Sequence, residues 1–137
     1  MFNKIMLPVD LAHTERLEKA ITVAAGLARD HGAELCFIGV TTSTPSALAR
    51  SPEEFGRKLA SFAEGQGKAF GITATSDVLV SHDPSIQMDR ELEKLVDKIG
   101  ADLVVMATHI PNATDYVWSG HGAHIAAHSD ASVFLVR

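Results

Sequence analysis

The chain has 137 residues, 46% of them hydrophobic, enough for one domain with a sizeable core. Twelve Lys and Arg stand against seventeen Asp and Glu, a formal charge of −5 with no basic cluster, which argues against a phosphate-tracking nucleic-acid surface. No apolar run reaches the roughly 20 residues of a membrane span, and Met1 to Lys4 run straight into a strand without the apolar core of a signal peptide, so a cytoplasmic chain without membrane insertion is expected.

Ile5 to Asp10 reads as the first strand, with Asp10 at its carboxyl end. Pro8 removes one ladder donor, so the strand is leaving the sheet there or is locally irregular. Thr14 to Arg29 follows as a helix, with Leu17, Ile21, Ala24, Ala25 and Ala28 on one face. Gly32 fits the left-handed residue beyond its end. Glu34 to Val40 is a second, buried strand containing Cys36. As the single cysteine it permits no intrachain disulfide, and it reads as an inert core residue.

A polar connection, Thr41 to Arg50, leads to Ser51-Pro52-Glu53-Glu54, a strong helix start. Serine caps, proline takes the first position and Glu54 completes a capping box. Phe55, Leu59 and Phe62 form the buried stripe, and Gly65 and Gly67 weaken the helix end. Asp77 to Val80 is a short third strand. Asp83 caps the next helix, with Pro84 at its first position. Met88, Leu92, Leu95, Val96 and Ile99 are its apolar face, and Gly100 stops it.

Leu103 to Met106 is a continuous apolar run, as in a strand buried on both faces. Ala107-Thr108-His109 follow where it emerges from the sheet. After a polar loop, Ser119-Gly120 open a helix whose free N–H groups can receive an anion, or Ser119 simply caps that helix. Val133 to Val136 is the closing strand, also read as buried. Strands alternating with helices five times argue for a parallel sheet covered on both faces, in a single domain spanning 1–137.

The stretch from Leu103 to Arg137 resembles the carboxyl-terminal half of the universal stress protein (UspA) family, and the resemblance extends over essentially the whole chain. That family carries Gly-x-x-Gly at the strand end and a Gly-Ser or Gly-Thr pair opening the last helix. Here the positions hold Ala107, Ile110, Gly120 and His121. Thr108-His109-Ile110-Pro111-Asn112 is similar to the Ser/Thr-His-x-Pro-Asp loop of a variant subgroup, which places Gly-Ser where this chain has Ser119-Gly120. The resemblance implies a doubly wound α/β fold, Rossmann-like, with five parallel strands in order 3-2-1-4-5 and four flanking helices. The order switches between the first and fourth strands, and ligands of open α/β sheets bind outside the carboxyl ends there.

The same resemblance implies an adenine-nucleotide site, for ATP or a relative, with or without Mg²⁺. Its residues are Pro8, Val9, Asp10, Val40, Met106, Ala107, His109, Ser119, Gly120 and His121. Asp10 either accepts from the ribose or base, or caps the segment that follows it. No P-loop, GxGxxG or GxSxG is present and no activated nucleophile is legible, so a regulator, not an enzyme, is expected. The alternative is a nucleotide-free interaction module, serving for example a transporter or signalling protein. His121, His124 and His128 share one helical face, which is either a metal-ligating row or a solvated or dimer-facing one. The resemblance also implies a homodimer through the closing strand, with a further protein partner unnamed by the sequence.

Overall fold

The computed structural model describes residues 1–81, 84–108 and 121–137, and omits the side chains of 84–88 and 121. Five strands form one parallel sheet: β1 (Lys4–Val9), β2 (Glu34–Thr41), β3 (Ala74–Val80), β4 (Leu103–Ala107) and β5 (Ser132–Val136). Their order is β3-β2-β1-β4-β5, as expected. Helices α1 (Glu18–His31), α2 (Pro52–Phe70), α3 (Pro84–Ile99) and α4 (His121–His128) connect them. Alternate side chains of a strand face opposite sides, so β1 feeds two cores. Ile5, Leu7 and Val9 pack with Ile21, Ala24 and Leu59 of α1 and α2. Met6 packs with Cys36, Leu92, Val96, Met106 and Ile125 on the α3 and α4 side. Each of the Val, Leu, Ile and Met side chains among them contributes about 1.5–3 kcal/mol when fully buried.

The helix ends follow local chemistry. Gly32, Gly71 and Gly100 close α1, α2 and α3 with φ of 63°, 66° and 72°, a region open to glycine at little steric cost. Ser51 Oγ accepts from the Glu54 N–H at 3.1 Å, as the cap requires. The Glu54 carboxylate reaches back to the N–H of Arg50 at 2.9 Å, one residue beyond the expected Ser51 partner.

Several boundaries differ from the sequence reading. The segment expected to begin a helix at Thr14 starts as a 3-10 turn, Leu11–Leu17, kinked at His13, before α1 proper. α2 runs through Gly65 and Gly67 to Phe70. Gly67 is a packing position: a Cβ there would lie 3.1 Å from both the Ala74 Cβ and the Ile72 carbonyl oxygen. β3 begins at Ala74, earlier than Asp77, because Ala74 to Ser76 pair with Leu35 to Phe37 of β2, and the Thr75 hydroxyl donates to Glu34 Oε1. β5 is not a strand buried on both faces: Phe134 and Leu135 are 43% and 51% exposed, because it is the sheet's edge. Asp83 lies outside the described residues, as does the Met88 side chain.

Candidate functional site

β1 sits centrally and pairs differently with its two neighbours. Its register with β2 runs from Lys4↔Glu34 to Val9↔Gly39, the whole strand. Its register with β4 covers only Ile5↔Leu103 and Met6↔Val104. Pro8 has no N–H to give, and the ladder ends before it. β4 meanwhile stays with β5 as far as Ala107↔Val136, and Thr108 continues that attachment, its N–H donating to the Val136 carbonyl at 2.7 Å. The sheet therefore parts between β1 and β4 at its carboxyl end, where the strand order reverses.

The amino end of the same junction is pinned. Asp102 accepts from the Asn3 N–H at 2.8 Å through Oδ2 and from the Lys4 N–H at 3.1 Å through Oδ1. Its own N–H donates to the Lys4 carbonyl at 3.0 Å. β1 and β4 thus form a wedge, closed at Asp102 and open beyond Met6 and Val104. Sequence reasoning passed over Asp102; the available signal was an acidic residue immediately before a wholly apolar strand.

The expected site residues distribute around this wedge. Pro8 and Val9, both buried, and the half-buried Asp10 end β1. Met106, fully buried, and Ala107, 7% exposed, end β4 across the opening. Val40 lies near the end of β2 and packs against the α3 and α4 core. The fold thus brings Asp10, Val40 and Ala107 to one end of the sheet. His109, Ser119 and Gly120 lie outside the described residues, as does the His121 side chain; His121 is the first residue of α4.

Asp10 is already engaged. Its Oδ1 accepts from the Ala12 N–H at 3.0 Å, capping the 3-10 turn, and its Oδ2 meets His13 Nδ1 at 2.8 Å. The carboxylate is held in one orientation at the rim, with lone pairs left for further donors. Ser81, just beyond β3, also escaped the sequence reading. It is fully buried, its N–H donates to the Thr41 carbonyl at 2.9 Å, and its hydroxyl has no partner among the described residues.

The histidine row divides. His124 Nε2 lies 3.1 Å from Glu93 Oε2, and its Nδ1 lies 3.9 Å from Asp89 Oδ2, which ties α4 to α3. The His128 ring stacks obliquely on it at 4.3 Å. Among the described residues no group of three or more His, Cys, Asp or Glu side chains is placed to hold a metal ion. Cys36 is 3% exposed, and burial raises its pKa above the ordinary thiol value, keeping it protonated. No described helix is long and apolar enough to cross a membrane.

The fold has counterparts among solved structures. A universal stress protein from Archaeoglobus fulgidus in complex with dAMP superposes with a TM-score of 0.68 at 16% identity, covering 98% of each chain. A universal stress protein in complex with cAMP superposes with a TM-score of 0.67 at 18% identity, covering 99% of this chain and 97% of that one. At these identities the likeness concerns the fold. In sequence, universal stress protein G of Shigella flexneri is 27% identical over 149 aligned positions, with both chains covered completely. The sequence model of the universal stress protein family matches residues 1–137, from first to last. The wedge at the β1/β4 switch thus sits in a chain that belongs to the universal stress protein family.

Proposed function

We propose that this chain is a regulatory adenine-nucleotide-binding protein that holds ATP, or a related adenine nucleotide with or without Mg²⁺, in the wedge between β1 and β4. The observation that carries this reading is the early end of the β1/β4 ladder. It leaves the carboxyl ends of Val9 and Met106 to Ala107 apart at the switch point, where ligands of open α/β sheets bind. The dAMP and cAMP complexes of similar folds support an adenine ligand. In this reading Asp10 accepts from the ribose or base beside Val9 and Pro8. Backbone groups near Val40 meet the base. Met106 and Ala107 line the floor, and His109, Ser119, Gly120 and His121 receive the phosphates, the last three at the helix N-terminus.

Binding, not turnover, is the proposed activity, and occupancy biases a protein partner in the cytoplasm. The chain pairs with a second copy through β5. The loop's likeness to the Ser/Thr-His-x-Pro-Asp subgroup rests on Thr108 to Asn112. A second reading, a nucleotide-free interaction module, is favoured by one observation: both Asp10 oxygens already have partners within the chain.

Thermal unfolding with and without ATP and Mg²⁺ separates the two readings. A ligand at a hundred times its Kd stabilises the native state by about 2.7 kcal/mol, a rise of several degrees for a domain of this size. Asp10→Ala should reduce that rise and leave the protein folded. An unchanged midpoint at millimolar ATP, AMP and cAMP would establish the nucleotide-free module instead.

A further inference from the structure

The chain has a second concave feature, on the opposite side of the sheet from α3 and α4. The 3-10 turn and α1 contribute Glu15, Glu18 and Ile21, and α2 contributes Phe62, Gln66 and Phe70, to a groove of about 340 Å³. Glu15 and Glu18 are exposed, and neither forms an ion pair among the described residues. Their spacing of three places both carboxylates on one side of the helical path. The Phe62 ring is held edge-on against Phe37, centroids 5.4 Å apart at 81°. The Arg29 guanidinium donates to the backbone carbonyl of Phe70 at 3.5 Å.

We propose that this groove is a docking site for an arginine side chain presented by a protein partner. Two unpaired carboxylates beside two half-buried phenyl rings complement that side chain in both its parts. The methylene stem lies along Ile21 and the rings, as long basic side chains do on apolar surface. The guanidinium stacks on an aromatic face and is received by the carboxylates, a combination a planar delocalised cation satisfies better than an ammonium. Gln66 supplies a carbonyl oxygen as a further acceptor. The groove is built from α1, α2 and the turn before α1, and none of the residues that line it is one of those placed in the β1/β4 wedge.

The probe is an acetylated, amidated pentapeptide with two arginines separated by alanine and flanked by glycines. Its counterpart carries citrulline, which keeps the shape and removes the charge. Amide chemical shifts of the full chain are followed during titration. Arginine-peptide shifts are expected at Ile21, Thr22, Phe62, Gln66 and Phe70, with none for the citrulline peptide. Glu15→Gln/Glu18→Gln should weaken binding by about fivefold or more, as expected for two charge-assisted contacts over an aromatic surface. Glu53→Gln/Asp97→Asn removes the same charge elsewhere and should weaken it by less than about twofold, because exposed charges beyond a Debye length are screened. Equal weakening by the two double variants would reduce the effect to the chain's overall negative field and overturn the proposal. Shifts confined to other elements, or equal binding of the citrulline peptide, would do the same.

Discussion

At the residue scale, two glycines that look alike in sequence have different roles. A Cβ on Gly39 would stand 2.6 Å from Phe55 Cε1 and 3.1 Å from Leu59 Cδ2. Both side chains are buried, so neither can move aside. Gly39→Ala should therefore cost about 1–3 kcal/mol, the range of core overpacking. A Cβ on Gly122 would meet the Leu135 Cδ2 at 2.6 Å, but Leu135 is half exposed and its tip can swing away. Gly122→Ala should cost less than about 1 kcal/mol in the same urea titration, since a helical alanine also gains intrinsic propensity. Glu54 gives a pH-dependent counterpart. The hydrogen bond from the Arg50 N–H, and then Lys58 beside it, hold its pKa below the ordinary carboxylate value. The unfolded chain therefore binds this proton more readily. The contribution is present above the unfolded-state pKa and disappears as pH falls through the lower folded-state value. The stability difference between wild type and Glu54→Gln should be present at neutral pH and shrink as pH falls through the lowered folded-state pKa; a difference independent of pH would assign the effect to packing.

At the scale of elements, the wedge depends on one side chain at its closed end. Asp102 holds the N–H groups of Asn3 and Lys4, joining the start of β1 to the start of β4. Asp102→Ala leaves both donors without this acceptor and should cost about 1.5–3 kcal/mol, the range for hydrogen bonds to a charged group. Asp102→Asn keeps one carbonyl acceptor and should recover part of the loss, which chemical denaturation at neutral pH measures. Most elements were legible in the sequence because their signals are local. Ser51 and Pro52 start α2, and Gly32 and Gly100 end α1 and α3, through contacts within a few residues. The first half of β3 was not, because Ala74 to Ser76 carry no apolar pattern and become a strand only by pairing with Leu35 to Phe37. The 3-10 turn was missed for a related reason. Asp10 caps at Ala12 and folds its other oxygen onto His13, a local bond that competes with a regular helix start.

At the scale of the molecule, the two edges of the sheet differ. At the two ends of β3, Ser81 donates its N–H to the Thr41 carbonyl of β2 and Thr73 accepts from Leu35, so the odd-numbered backbone groups face inward. The outward N–H of Val78 is taken by the Asp77 carboxylate at 2.9 Å, which blunts that edge. In β5, Ser132 donates to the Asp102 carbonyl and Val136 accepts from Thr108, so Val133 and Leu135 turn their backbone groups outward, beside the exposed Phe134 and Leu135 side chains. A two-fold axis would pair this edge with its own copy, an isologous contact that closes on itself. Val133→Pro removes an outward donor and leaves the ladder to β4 intact, so it tests association without breaking the fold. Light scattering at micromolar concentration should give the mass of a dimer for the wild type and partial dissociation for the variant. A wild-type mass of one chain would refute the dimer.

By itself the sequence determined the parts whose causes are short-ranged. Apolar runs gave the buried strands β1, β2 and β4, helical spacing gave the faces of α1 to α3, and caps gave the start of α2 and the ends of α1 and α3. Alternation of the two element types required a parallel sheet, since crossovers of this length return a strand in the same direction. Which strands are central and which are edges came from the family resemblance, and the structure bears that order out; no local pattern encodes it. An apolar run such as Val133 to Val136 reads the same whether one neighbour or two will pair with it. Only the fold brought Asp10, Val40 and Ala107, residues far apart in sequence, to one end of the sheet. It also parted β1 from β4 above Met6 and pinned them at Asp102, because these are contacts between segments about a hundred residues apart that no local pattern encodes.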